Sequence, residues 1–359
     1  MKIVKICLIL CSIAISLSFT TENKPTKPDD NLFIEAINYN IWGLPVWLPG
    51  IERKKRYPKI VKHLLERQAS IVCLQECFHP LARKTILKHL KDEYKTYSDY
   101  TCNDKSIFKK DCHGGLVTLS KFDISKEEFY RYPIQEGMNI VEKKGGKGFI
   151  LSTLKTDLGE INVINTHLYS GRGQKSEAIR LLQVKRMNEI IDSLNLKENP
   201  ILLMGDLNCA HPSLAKNEGD SKVYHYLTDS LHFQDTKKKV KDNEVTYDTE
   251  KNHYGRKFYY KSEGKQKLDY CLFYTPSTFK FDLTESNVIF KEEHAYSDHY
   301  GLFSKFSIRR KNNPKAPKRI KTSKEPKGQG QGQRLKENFK KALNRASRPM
   351  RKNTKSGEE

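Results

Sequence analysis

Short apolar runs that each end on a polar side chain recur along this 359-residue chain, and they constrain the fold more than any other feature. Ile71-Val72-Cys73-Leu74-Gln75 leads into Glu76, and Ile161-Asn162-Val163-Ile164-Asn165-Thr166 into His167. Ile201-Leu202-Leu203-Met204-Gly205 leads into Asp206-Leu207-Asn208, and Ser297-Asp298-His299-Tyr300-Gly301 precedes a further apolar run. Runs of this length and composition predict buried strands. Others are expected at 32–40, 116–120, 148–154, 267–274 and 301–308, with a turn at 157–159. Ile60, Val61, Leu64 and Leu65 recur at helical spacing, as do Ile179, Leu182, Met187, Ile190, Ile191 and Leu194. A third helix is expected over 221–231. The alternation predicts an α/β fold of two packed mixed β-sheets flanked by helices, in one domain over residues 32–308. Ligands and catalytic groups in such folds collect at strand ends.

Both ends of the chain depart from this pattern. Lys2 and Lys5 precede an apolar run over residues 6–19, too short for a membrane-spanning helix. Residues 1–19 therefore read as a secretory signal and 20–31 as a polar linker, which implies a secreted or lumenal protein. From residue 309 the apolar pattern stops. The segment 309–359 holds 18 Lys/Arg against 4 Asp/Glu, +14 of the chain's formal +22, and is expected to be a disordered basic tail. Such a tail suits anionic lipid or nucleic acid equally. Of the six cysteines beyond the signal, Cys102 and Cys112 flank a polar loop and are the candidate disulfide. Cys73 and Cys271 sit in apolar runs and are expected to be buried thiols. No cysteine spacing suggests a zinc site.

The strand-end residues are the types that metal-assisted phosphoester cleavage requires: oxygen ligands for a hard cation, a base for water, and donors for the phosphoryl oxygens. Glu76, Asn40, Asp206, Asn208 and Asp298 offer oxygen ligands, His299 and His167 a base and a donor, and Asp269 a carboxylate to fix the histidine's tautomer. Each alone has a plainer reading, as a turn residue, a cap or an interior histidine. Their joint occurrence at successive strand ends favours a site.

Taken in order, Asn38-Tyr39-Asn40-Ile41-Trp42-Gly43-Leu44-Pro45, Leu74-Gln75-Glu76, Asn165-Thr166-His167-Leu168, Gly205-Asp206-Leu207-Asn208, Leu268-Asp269-Tyr270 and Ser297-Asp298-His299 resemble the endonuclease/exonuclease/phosphatase superfamily. The resemblance covers nearly all of 32–308 and implies the DNase I-like four-layer sandwich. It implies Glu76 as central metal ligand, Asn40 and Asp298 on the metal side, and Mg²⁺ as the cation, with Mn²⁺ or Co²⁺ as alternatives. It implies His299 as general base, oriented by Asp269. His167, Asp206 and Asn208 fall at the phosphate, and Arg180 and Gln183 on a helix where the family often places a substrate-side glutamine.

Within the superfamily, Asn40 to Pro45, Thr246-Tyr247-Asp248 with Asn252, and Tyr300 after His299 are similar to the neutral sphingomyelinase branch. That branch implies cleavage of sphingomyelin to ceramide and phosphocholine by a monomer at a phospholipid or sphingolipid membrane surface. A secreted DNase I-like endonuclease is the alternative, and Asn208-Cys209-Ala210-His211 leans slightly that way. An inositol polyphosphate phosphatase ranks lower, because the stretch 264–270 lacks that group's Pro-Ala-Trp-Cys-Asp-Arg element. A non-catalytic phosphate-binding module is disfavoured by the complete catalytic set. Trp42, Trp47 and Leu48 are candidates either for a small interfacial wedge or for internal packing.

Overall fold

The computed structural model describes residues 31–44, 52–96, 113–215, 218–238, 240, 244–258 and 264–311. The expected signal, the basic tail beyond Lys311, the Cys102–Cys112 pair, Trp47 and Leu48 lie outside them.

Among the described residues the strands are β1 (Asn31–Gly43), β2 (Ile71–Cys77), β3 (Val117–Ser120), β4 (Asp123–Arg131), β5 (Gly148–Thr156), β6 (Gly159–His167), β7 (Ile201–Asp206), β8 (Gln234–Asp235), β9 (Tyr247–Asp248), β10 (Lys265–Gln266), β11 (Asp269–Tyr274), β12 (Phe279–Ile289) and β13 (Gly301–Arg310). Among them run the helices α1 (Arg53–Arg67), α2 (Pro80–Leu90), α3 (Ile140–Gly145), α4 (Gly173–Ser193), α5 (Lys222–His225) and α6 (His253–Phe258). The strands build a five-stranded sheet, β12-β13-β1-β2-β3, a six-stranded sheet, β4-β5-β6-β7-β11-β8, and a small β10-β9 ribbon. In each large sheet one parallel pair, β1 with β2 and β6 with β7, sits among antiparallel neighbours.

Period-two alternation assigns each strand residue to a layer. Ile34, Ala36, Ile71 and Cys73 of one sheet meet Ile161, Val163, Leu202, Met204 and Cys271 of the other in a shared core. Ile37, Tyr39, Ile41, Val72 and Leu74 face outward and pack under α1 and α2. Leu151, Ile164, Leu203 and Leu272 do the same under α4 and α5. The result is the expected four-layer order of helices, sheet, sheet, helices. Cys73 and Cys271 are buried free thiols in its centre, and Cys77 and Cys209 are buried and free as well.

Several elements depart from the sequence reading. The helix expected over 221–231 is one short α-turn continued by a π-type turn, Tyr226–Ser230. The strand expected at 267–274 is broken before Asp269. Strand β1 begins inside the expected linker, and β13 reaches Arg310, because Asn31 pairs with Arg309. The edge strands β4 and β12 carry charged and polar residues at most positions. Edge strands resist stray pairing in this way, and it leaves little apolar pattern to read. Among the described residues, no helix is long and apolar enough to cross a membrane.

Candidate active site

The inward-facing positions change character toward one end of the inter-sheet core. Beyond the apolar layer, Asn38, Gln75 and Asn165 continue the same faces as buried amides. Gln75 Nε2 donates to Asn38 Oδ1 at 2.8 Å and to Asn165 Oδ1 at 2.9 Å. Asn38 Nδ2 donates across the layer to the carbonyls of Gly205 and Tyr270, at 3.0 and 3.2 Å. Asn165 Nδ2 donates to Leu74 and Val117 carbonyls. This amide layer ties the two sheets together directly beneath the strand ends. The sequence signal for it was the persistence of alternation through amides instead of aliphatics.

One step further out lie the expected site residues. Strand register sets His167 opposite Asp206 and Asp206 opposite Asp269, so three neighbouring strands of one sheet deliver three side chains in a row. Gly205 makes this spacing possible, since a Cβ there would meet the Thr166 carbonyl oxygen at 2.1 Å. The other sheet delivers Asn40 and Glu76, and the turn before β13 delivers Asp298 and His299. Trp42, Glu76 and Asn208 all adopt left-handed backbone, with φ of 49°, 56° and 50°. Non-glycine residues seldom do so outside functional or tightly held segments. Gly43 lies against this irregular stretch, and a Cβ on it would meet the Glu76 carbonyl oxygen at 2.4 Å.

His299 Nδ1 lies 2.8 Å from Asp269 Oδ2, and its Nε2 lies 3.7 Å from Asp206 Oδ2. A carboxylate at Nδ1 fixes the proton there and leaves Nε2 for chemistry. Burial alone would lower the His299 pKa, but the Asp269 and Asp206 carboxylates outweigh it and hold it well above the usual value. The turn is fixed from behind. Asn252 Nδ2 donates to the carbonyls of Ser297 and Asp298, both at 3.0 Å. Ser297 Oγ donates to the Asn40 carbonyl at 2.7 Å. Thr246 Oγ1 accepts from the backbone N–H groups of Leu268 and Asp269.

Asp206 is shared. Asn40 Nδ2 donates to its Oδ2 at 3.0 Å, His167 Nε2 lies 3.4 Å from the same oxygen, and the Asn208 N–H donates to Oδ1 at 3.0 Å. Burial pushes its pKa up to about 6, against the pull of His299. His167 is held well below the usual histidine range by burial, then by Lys147 and His299, so it is neutral. Lys147 Nζ donates to His167 Nε2 at 2.8 Å and to the Leu168 carbonyl at 2.7 Å, and pairs with Glu142 at 3.2 Å. Sequence reasoning missed this buried lysine. Its position at the start of β5, whose Phe149 pairs with Thr166, was the available signal.

Glu76 and Asp298 make the second half of the site. Burial, and next the charge of Asp298, push the Glu76 carboxyl up to about 8. Glu76 Oε2 is buried without a hydrogen-bond partner, and burial raises Asp298 as well. Such a pair is poorly satisfied by protein groups alone, and a hard divalent cation fits it. Asn40 stands between the two halves, and its side chain also hydrogen-bonds Glu76. Its Nδ2 serves Asp206 and its Oδ1 accepts from the Trp42 N–H at 3.0 Å, so it braces the two halves. Asp206, Asp269 and His299 also bring ligand-type atoms within 4.8 Å of one another. The His299–Asp269 hydrogen bond already engages two of those atoms, whereas Glu76 Oε2 is buried without a partner.

Packing places three further candidates. Arg180 is buried in an ion pair with Glu177 at 2.8 Å and donates to the Tyr169 and Gly171 carbonyls. Gln183 accepts from the Tyr169 N–H at 2.9 Å. Both brace the loop after His167. Trp42 is only 2 % exposed, packed against Arg56 and Tyr254, so it is a core residue and not part of an interfacial wedge.

The model of the Endonuclease/Exonuclease/phosphatase family matches residues 37–299, which holds every residue of the site. A sphingomyelinase C of Leptospira interrogans is 26 % identical over 267 residues, covering 70 % of this chain and 46 % of that protein. A sphingomyelinase C of Bacillus cereus is 25 % identical over 222 residues, covering 57 % of this chain and 65 % of that protein. The chain thus spans less than half the length of its Leptospira relative. Among solved structures, a beta toxin variant from Staphylococcus aureus with bound magnesium ions superposes with a TM-score of 0.59 at 18 % identity, over 76 % of this chain and 99 % of that one.

Proposed function

The chain belongs to the Endonuclease/Exonuclease/phosphatase family, and on that premise we propose that it is a secreted, divalent-cation-dependent phosphodiesterase that cleaves sphingomyelin to ceramide and phosphocholine. The observation that carries the chemistry is the His299–Asp269 pair at 2.8 Å, set beside Asp206 and across from the cation-type pair Glu76 and Asp298. The sphingomyelin assignment is supported by the relatives named sphingomyelinase C.

In this reading the neutral form of His299 takes a proton at Nε2 from water as the water oxygen attacks phosphorus in line. Asp269 holds the ring in the productive tautomer and stabilises the imidazolium. Asn208 and His167 act on the phosphoryl oxygens as charge builds on them, and Lys147 braces His167 from behind. Asp206 fixes Asn208 in place. A cation held by Glu76 and Asp298, with Mg²⁺ the first candidate, would supply charge neutralisation at the phosphate and the leaving oxygen. The phosphorus–oxygen bond to ceramide breaks, and the ceramide oxygen takes up a proton from solvent.

The test is a side-by-side assay of the purified protein on sphingomyelin vesicles, lysophospholipid, plasmid DNA and inositol phosphates, with Mg²⁺ and with EDTA. Cation-dependent turnover of sphingomyelin supports the reading. Plasmid nicking without lipid turnover replaces it with a nuclease.

A further inference from the structure

Six large apolar side chains are exposed among the described residues, and three of them fall within eight residues of chain. Ile134, Ile140 and Val141 are 62 %, 64 % and 50 % exposed. They lie on the connection between β4 and β5, which leads directly into Lys147. The connection is an ordered platform. Met138 turns inward and packs with Tyr169 and Ile179. The Asn139 side chain caps α3 by accepting from the Glu142 N–H at 2.9 Å.

The platform stands on the rim of the site. Glu142 accepts from Ser170 Oγ at 2.6 Å and pairs with Lys147 at 3.2 Å, and Lys147 reaches His167. The surroundings are cationic. Arg131 and Lys144 are exposed and Lys143 half-exposed, with Arg172 exposed just beyond the Ser170 contact and Glu136 the exposed carboxylate on the connection. Exposed aliphatic side chains on one short connection that also carries lysine and arginine match the boundary of a bilayer, where apolar groups enter the acyl edge and cations meet anionic headgroups.

We propose that Ile134, Ile140 and Val141 form a membrane-docking surface that seats the rim of the active site on an anionic lipid bilayer. The docking chemistry depends on apolar area and positive charge, and its orienting purpose rests on the lipid reading given above. It locates membrane contact on the β4–β5 connection instead of at Trp42, which is buried.

The experiment uses the full chain and its triple variant Ile134→Ser, Ile140→Ser, Val141→Ser. Co-sedimentation with phosphatidylserine/phosphatidylcholine vesicles is measured at 0.1 and 0.5 M NaCl. Salt screens binding by the basic tail and leaves apolar insertion. The parent retains binding at high salt, and the variant loses on the order of tenfold or more of it. Both hydrolyse a water-soluble phosphodiester at the same rate. Equal vesicle binding by parent and variant at 0.5 M NaCl overturns the proposal. So does sedimentation velocity showing a parent dimer that the variant dissolves, because the patch then joins two copies of this chain. A protein that binds vesicles through the patch but turns over no sphingomyelin refutes the substrate assignment and leaves the docking surface standing.

Discussion

Asp269 at the head of β11 and His299 in the turn before β13 meet at 2.8 Å through Oδ2 and Nδ1. Strand β11 belongs to the six-stranded sheet and β13 to the five-stranded one. The second Asp269 oxygen is buried without a partner, so the contact with His299 is the carboxylate's principal commitment. Asp269→Asn keeps the shape but lets an amide N–H face Nδ1, which favours the wrong tautomer. Turnover is expected to fall by about 10²–10⁴-fold, with circular dichroism and melting temperature close to the parent. A variant retaining more than half of parental kcat would remove Asp269 from the mechanism.

Glu76 links cation binding to pH. Its carboxyl is pushed up to about 8 by burial and by Asp298, so below that pH the cation-free protein holds a proton that binding must displace. The sign follows: affinity for Mg²⁺ rises as pH climbs toward about 8 and levels off above it. Titration calorimetry at pH 6.0 and 8.5 checks this, with more proton release expected at the lower pH. Glu76→Gln should abolish most of the pH dependence and weaken Mg²⁺ binding. Identical affinities at the two pH values would contradict the assignment.

The amide layer under the site is expected to carry stability. Gln75→Leu removes the donor that satisfies Asn38 Oδ1 and Asn165 Oδ1. Leaving buried acceptors unpaired costs about 1–3 kcal/mol. Urea denaturation should show that loss with an unchanged m-value, since the exposed area on unfolding is the same. A variant as stable as the parent would mean that the layer is not needed to join the sheets.

Asn252 positions the His299 turn without touching the reacting groups. Its Nδ2 serves two carbonyls of that turn, and its Oδ1 caps α6 through the Tyr254 N–H at 2.9 Å. Asn252→Asp keeps the cap but sets an acceptor against the two carbonyl oxygens. Misplacing a catalytic base by a fraction of an ångström lowers kcat by roughly 10-fold or more. KM is expected to stay near the parental value. A change in KM alone would point instead to a substrate contact.

The strand ends were readable because apolar runs and their polar terminators survive in one dimension, and the four-layer fold follows from them. Glu76, His167, Asp206, Asp269, Asp298 and His299 all reach the place their strands imply. The remaining parts depend on contacts between distant segments. Lys147 reads as one lysine in a lysine-rich stretch until β5 pairs with β6 and brings it to His167. Arg180 and Gln183 lie on the expected helix, but only packing reveals that they grip the Tyr169 loop. Trp42 left a surface wedge and internal packing both open, and Arg56 and Tyr254 decide for packing by enclosing it. The edge strands β4 and β12 were hidden because exposed edges favour charge over alternation.

The most direct test of the central claim is ³¹P NMR of sphingomyelin vesicles incubated with the full chain, with the His299→Ala variant in parallel and EDTA as control. The account predicts a phosphocholine resonance that grows with parent protein and Mg²⁺, and that disappears with EDTA and with the variant. Phosphocholine released equally by parent and His299→Ala, or a parent that leaves the sphingomyelin signal untouched in Mg²⁺, would contradict it.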